Sequence, residues 1–268
     1  MPAAVPESLQ EQHPAVPGRD PIIVVENLTC AFGERVILEN VSFEVYRGEI
    51  FVILGGSGCG KSTLLKHLIG LYPPAAGRIV VNGIDITTGD ERALAQMRRE
   101  IGVLFQSSAL FGSMTLGQNI ALPLEEYTDL PPEVIDLIVR LKLRLVNLAG
   151  FEDYLPEELS GGMKKRAGLA RAMALDPDLL FFDEPSAGLD PITAVGLDQL
   201  ILRLNAGLGA TMVVVTHELQ SILTIAHRVI MLDKDAKGII AMGDPHDLKE
   251  HSTDPRVLNF FHRRPPEG

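Results

Sequence analysis

The sequence predicts an α/β protein: a mostly parallel sheet covered by helices on both faces, with an N-terminal antiparallel β subdomain ahead of it and an α-helical subdomain inserted within it. Three observations carry this. Apolar runs at Leu179–Asp183, Thr211–Thr216 and Val229–Leu232 alternate with helical stretches, as in repeated βαβ units. The stretch Phe51–Thr63 reads as a buried strand, a glycine-rich turn and the start of a helix. Between about residues 93 and 174 the pattern changes from strand to helix, so a helical segment interrupts a single core. At 268 residues and 46% apolar content the chain can bury one large core, and no internal repeat divides it.

In chain order, residues 1–20 hold Pro2, Pro6, Pro14 and Pro17 with no apolar segment, which reads as a disordered leader rather than a signal peptide or membrane helix. Ile22–Val25, Val36–Leu38 and Val41–Val45 are β-rich runs separated by polar turns, a hairpin pattern. Ile50–Leu54 is a buried strand, and a helix follows from about Ser62 to a C-terminal stop at Gly70, with Pro73-Pro74 beyond. Arg78–Asn82 is a further strand with an Asn82-Gly83 turn. Residues 101–124 carry no charge, long enough to suggest a membrane span, but Gln106, Ser107, Ser108, Gln118, Asn119, Pro123 and three glycines interrupt them. Pro131-Pro132 opens an amphipathic helix whose stripe Val134, Leu137, Ile138, Leu141, Leu145 and Leu148 reads as core packing. Ser160 is a good N-cap for a helix over Met163–Leu175.

The glycine turn is the most specific signal. Gly55, Gly60, Lys61 and Ser62 fit G-x-x-x-x-G-K-[ST], the phosphate loop of a P-loop NTPase. Across Gly56, Ser57, Gly58 and Cys59 the backbone N–H groups can point inward around a polyphosphate, and the helix through Ser62 and Thr63 adds its positive end. Lys61 is placed for the β- and γ-phosphates and Ser62 for Mg²⁺. A dinucleotide-binding turn would need glycine at position 61, and a ligand-free glycine turn leaves the Lys-Ser pair unexplained.

Three further strand ends carry polar groups. Leu179–Asp183 delivers Asp183, suited to Mg²⁺ through water, and Glu184, suited to deprotonate an attacking water. Capping of a solvated strand edge is the plainer account of two such acids, and it weakens beside a phosphate loop. Thr211–Thr216 delivers His217, placed to sense a γ-phosphate, although a lone histidine is more often structural. Gln106, after Val103–Phe105, can ligate Mg²⁺ or water but cannot act as a base. Finally, Ser160, Gly161, Gly162 and Met163 make a second capped helix start suited to an anion. Two such starts about 100 residues apart suggest that each completes a site on another copy, in a head-to-tail homodimer.

A net charge of −11 disfavours nucleic acid as a partner, since phosphate contacts need clustered Lys and Arg. Cys30 and Cys59 make no disulfide framework, which suits a reducing cytosol.

Taken together, the phosphate loop, Gln106, Leu159–Met163, Leu179–Glu184, Ser186–Asp190 and His217 resemble the ATP-binding cassette (ABC) ATPases over residues 21–245, with a helical insert at about 107–172. The resemblance implies a RecA-like parallel-sheet core, ATP and Mg²⁺ as ligands, and Phe32 in the place of the aromatic that stacks on adenine. It also sets Met163 where the family usually has Gln. Leu104–Phe111, the Met163 variant with Lys164-Lys165-Arg166, Leu189–Thr193 and Asp254–Phe261 are most similar to ATPases of the MCE-associated lipid transporters, notably the Mla phospholipid system. That likeness implies a peripheral subunit on the cytoplasmic face of the inner membrane, beneath integral membrane permease subunits that dock near Gln106–Leu124 through Leu110, Phe111, Met114 and Leu116. An MCE-type lipid-binding protein and a small accessory subunit complete the implied partners. Within the tail, residues 246–268, the stretch Asp254–Phe261 ends in Phe260-Phe261 after a polar, proline-broken run and is expected to pack on the partner protomer or an accessory subunit. ATPases of importers for amino acids or other polar solutes share every motif but the subgroup marks. Soluble cassette ATPases of DNA repair or translation generally carry a second cassette, coiled coils or basic insertions, which this chain lacks.

Overall fold

The computed structural model describes residues 20–264, so the expected leader lies almost wholly outside the described residues. It begins with a hairpin, β1 (Pro21–Phe32) and β2 (Arg35–Tyr46). The two runs expected at Val36–Leu38 and Val41–Val45 are one strand. Residues 38 and 41 of β2 pair with Cys30 and Leu28, so three steps on β2 face two on β1. Asn40 absorbs the extra residue at φ 52°, a conformation Asn tolerates, and the expected polar turn is a β-bulge. With β4 (Ala76–Val81) and β5 (Ile84–Asp85), the hairpin forms an antiparallel sheet ordered β2-β1-β4-β5.

The second sheet is the frame for the site. It contains β3 (Ile50–Gly55), β6 (Ile101–Leu104), β7 (Leu179–Asp183), β8 (Thr211–Val215), β9 (Arg228–Asp233) and β10 (Gly238–Gly243). Their order is β10-β9-β3-β8-β7-β6, parallel except for β10 against β9. Alternation of side chains divides its strands between two cores. Ile50, Val52, Leu54, Leu180, Phe182, Met212 and Val214 enter one; Phe51, Ile53, Leu179, Phe181, Val213 and Val215 enter the other. This is why these strands read as unbroken apolar runs. On the second face lie the antiparallel sheet, α1 (Lys61–Leu68) and α2 (Glu91–Glu100). On the first lie α3 (Leu116–Tyr127), α4 (Pro132–Leu145), α5 (Gly161–Ala172), α6 (Pro191–Leu208) and α7 (Leu219–Ile225), followed after β10 by α8 (Pro245–His251) and α9 (Pro255–Phe261).

Helix α1 ends as its sequence predicts. Gly70 takes φ 66°, and the N–H groups of Gly70 and Leu71 return to the carbonyls of His67 and Lys66.

Helix α4 departs from expectation. Its packed face is Ile135, Val139 and Leu143, whereas Val134, Leu137 and Leu141 from the expected stripe are exposed, Leu137 at 67%. Lys142 is buried on the packed side and pairs with Asp176.

The tail is corrected too. Asp254 caps α9 and Pro255 opens it, which turns Val257 and Phe261 into the first core of the chain's own domain. Pro255 thus opens a helix, and Phe261, expected to meet another protein, packs in its own domain. Phe261→Ala should therefore destabilise the protein by about 3–5 kcal/mol, as for other buried Phe truncations. Chemical denaturation would check this, and an unchanged midpoint would contradict the packing described.

Candidate active site

The carboxyl ends of four parallel strands meet at one edge of the second sheet. Ile53 and Asp183 both pair with Val215, and Leu104 pairs with Phe182, so the residues following β3, β6, β7 and β8 emerge side by side. Ligands bind at this edge in open α/β sheets.

From β3 the chain enters the glycine loop. Gly55 is required there twice over: its φ is 145°, and a Cβ would lie 2.3 Å from the Leu232 carbonyl and 2.7 Å from Cys59 Sγ. Gly56, Ser57 and Gly58 are exposed, while Cys59 is buried, and burial pushes its thiol pKa up. Gly60 caps α1 at φ 104° with no side-chain hydrogen bond, and the first turn holds no acid. The helix's leading N–H groups and positive end are thus left for an outside anion. Lys61 Nζ meanwhile donates to the carbonyls of Gly55 at 2.9 Å and Gly56 at 3.1 Å. Ser62 Oγ donates to Asp183 Oδ1 at 3.2 Å, joining the loop to the end of β7. Burial raises the Asp183 carboxyl pKa, the Ser62 hydroxyl opposes that, and the neighbouring Glu184 charge adds to it.

These two hard oxygen donors fit Mg²⁺, which prefers carboxylate oxygen and keeps several waters. Among the described residues no group of three or more His, Cys, Asp or Glu could hold a metal by itself. A cation here would therefore complete its shell with phosphate and water. The side chain of Gln106 is exposed and makes no hydrogen bond to Ser62 or Asp183.

Glu184 follows β7 at φ 48°, a left-handed conformation that is unusual for a non-glycine residue. Its N–H donates to Val215 O at 2.8 Å, and His217 Nδ1–H donates to its Oε1 at 2.8 Å. The carboxylate is otherwise enclosed, and its buried Oε2 has no protein partner. Asp183, Glu184 and His217 are thereby brought together with the glycine loop. The sequence did not single out Lys165 for this site. It is 5% exposed and donates to the carbonyls of Gln106 at 2.5 Å and Glu184 at 3.2 Å. Burial lowers its ammonium pKa, against the pull of the two nearby carboxylates.

The other helix start lies apart. Ser160 Oγ accepts from Met163 N–H at 3.3 Å, and Ser160 and Gly161 are exposed ahead of a first turn without acids. Gly162 lies so near Thr193 that a Cβ would approach its Cγ2 to 2.4 Å. Met163 leans into the first core, which is room an apolar side chain uses better than Gln. Helix α5 packs on β6, α3, α4 and α6, while α1 packs on β1, β3, β7 and β8.

Phe32 is 48% exposed and meets Tyr72 edge to face, with ring centroids 5.5 Å apart. Lys66 Nζ lies 5.9 Å from the Tyr72 ring, so an aromatic pair with a cation flanks α1. Of the expected docking anchors, Leu116 is wholly core and Leu110 and Met114 are half-buried, whereas Phe111 is 50% exposed. Their loop is held by two residues that sequence reasoning passed over. Buried Asn119 bonds to the main chain of Phe111, Met114 and Thr115, and Arg171 donates to the carbonyls of Ser108 and Ala109.

Comparison with known proteins identifies the family. A family model described as ABC transporter matches residues 38–187. The intermembrane phospholipid transport system ATP-binding protein MlaF of Haemophilus influenzae is 45% identical over 240 residues, covering 90% of each chain. A Mycobacterium leprae protein named for ribonucleotide transport, mkl, is 44% identical over 250 residues, covering 92% of this chain and 71% of its own. The dimeric post-hydrolysis structure of the ATP-binding cassette MJ0796, bound to ADP and Pi, superposes with a TM-score of 0.75 at 31% identity, covering 83% of this chain and 98% of that one. The chain belongs to the ABC transporter family, as one of its nucleotide-binding ATPase subunits.

Proposed function

We propose that this subunit hydrolyses ATP as a head-to-tail homodimer beneath a membrane permease and thereby drives the movement of phospholipid between membranes. The observation that carries the hydrolytic half is Glu184. One carboxylate oxygen is held by His217 while the other is buried without a partner, beside the loop that binds phosphate. That free oxygen is where an attacking water would deliver its proton. Lys61 exchanges the Gly55 and Gly56 carbonyls for the β- and γ-phosphates, and the amides from Gly56 to Thr63 surround them. Ser62 and Asp183 would hold Mg²⁺, whose charge would offset that on the phosphates. Phe32 stacks on adenine. Ser160 to Met163 face the γ-phosphate of the other protomer, which the exposed, acid-free start of α5 is suited to hold.

The permease docks in the groove between α3 and α4, about 500 Å³ in volume, with Ala121, Ile135 and Val139 on its floor. Glu125, Asp136, Glu152 and Asp153 also line it. This charge suits the cytoplasmic loops of membrane proteins, which are rich in Lys and Arg. No helix among the described residues is long and apolar enough to cross a membrane, so attachment falls to partners. An MCE-type lipid-binding protein and an accessory subunit belong to the same reading.

The lipid cargo is supported by the MlaF likeness, and the name of the mycobacterial relative supplies the competing cargo. Deleting the gene should make cells sensitive to detergent and disturb lipid distribution between membranes, with rescue by the wild type and not by Glu184→Gln. Intact detergent resistance together with specific loss of uptake of a polar solute would replace lipid by that solute.

A further inference from the structure

Lys165 lies outside the residues assigned above to ATP, yet its environment is costly for a lysine. It is 5% exposed and, among the described residues, forms no ion pair. An aliphatic side chain would fill the same place without burying an amine. What the amine supplies is two donors to main-chain carbonyls on separate segments, Gln106 O at 2.5 Å and Glu184 O at 3.2 Å.

The second contact matters because Glu184 is held in a left-handed conformation, φ 48°. Such a conformation persists only where its surroundings over-determine it. Here Val215 O takes the N–H, His217 holds Oε1, and the carbonyl is shared by the Ala187 N–H and Lys165, each at 3.2 Å. Without the amine, that carbonyl keeps only the Ala187 N–H, and the residue has one restraint fewer against relaxing toward ordinary dihedrals. The carboxylate then swings away from the water it is meant to face.

We propose that Lys165 is a positioning residue for hydrolysis: it locks the Glu184 backbone in the conformation that aims the carboxylate, and ties it to the Gln106 segment and to the helix carrying Ser160 to Met163. The inference rests on Glu184 being the base.

The test is steady-state ATPase kinetics on Lys165→Met and Lys165→Arg in the full chain, with Glu184→Gln and the Glu184→Gln/Lys165→Met double variant alongside. Met keeps the bulk of the stem and lacks donors; kcat should fall about 10–100-fold, the scale of a small misplacement of a reacting group, with KM for ATP nearly unchanged. Arg restores donors and should recover most of kcat. In the Glu184→Gln background the Met change should lower the residual rate little, because groups acting as a unit are not additive. If Met disturbs folding by thermal melt, Lys165→Gln, which keeps an amide donor, should give an intermediate kcat. Wild-type kcat in the Met variant, a loss carried by KM, or a full additional loss in the double variant would overturn the proposal. Retained turnover in Glu184→Gln alone would instead overturn the assignment of the base.

Discussion

Glu184→Gln is expected to bind ATP normally and to lose hydrolysis by about 10²–10⁴-fold, the range attributed to a positioned general base. The amide keeps the shape of the side chain and can still meet His217, whose ring lies 2.8 Å from Oε1. What it lacks is basicity at the enclosed Oε2. Because ATP then persists in the site, the variant should also accumulate an ATP-stabilised dimer, visible as a shift to twice the monomer mass on size exclusion with light scattering. Turnover near wild type in a clean preparation would remove Glu184 from the chemistry.

Lys61→Ala should fail at the earlier step. Charge-assisted hydrogen bonds are worth roughly 1.5–3 kcal/mol each, and the amine has at least two to offer a polyphosphate. Loss of about 3 kcal/mol or more weakens ATP binding by ~10²-fold or greater. The fold should survive, since Lys61 is half-exposed and its present partners are carbonyls of its own loop. Isothermal calorimetry separates the two variants: heat of ATP binding vanishes for Lys61→Ala and remains for Glu184→Gln. Equal affinity in both would remove the phosphate-loop assignment.

What was legible in the sequence was chemistry placed at strand ends. Asp183, Glu184 and His217 stand at or just past an apolar run, and Lys61 closes the glycine loop that follows another, so local pattern was enough to find them. Lys165 and Arg171 were not legible, because their partners are backbone carbonyls 59 and 63 residues away, and a carbonyl leaves no mark in sequence. Helix α4 shows a different limit. Apolar residues occur on both of its sides, and the buried side includes Lys142, which only its pairing with Asp176 makes tolerable. Periodicity finds a face; it does not say which of two faces meets the core. The start of α9 was open to the same reading, since Asp254-Pro255 is a helix start in plain view.

The central position of β3 has a consequence for how the protein is made. Its neighbours in the sheet are β8 and β9, which begin about 155 residues or more after it ends. At ribosomal speeds of ~5–20 residues per second, a wholly apolar strand waits roughly 10–30 s for a hydrogen-bonded neighbour in its own sheet to emerge. Nucleotide cannot be gripped in that interval, because the edge from which Asp183, Glu184 and His217 project does not yet exist. The nascent chain therefore carries an apolar strand without its sheet neighbours through this interval, and termination before β9 leaves β3 unpaired on at least one side.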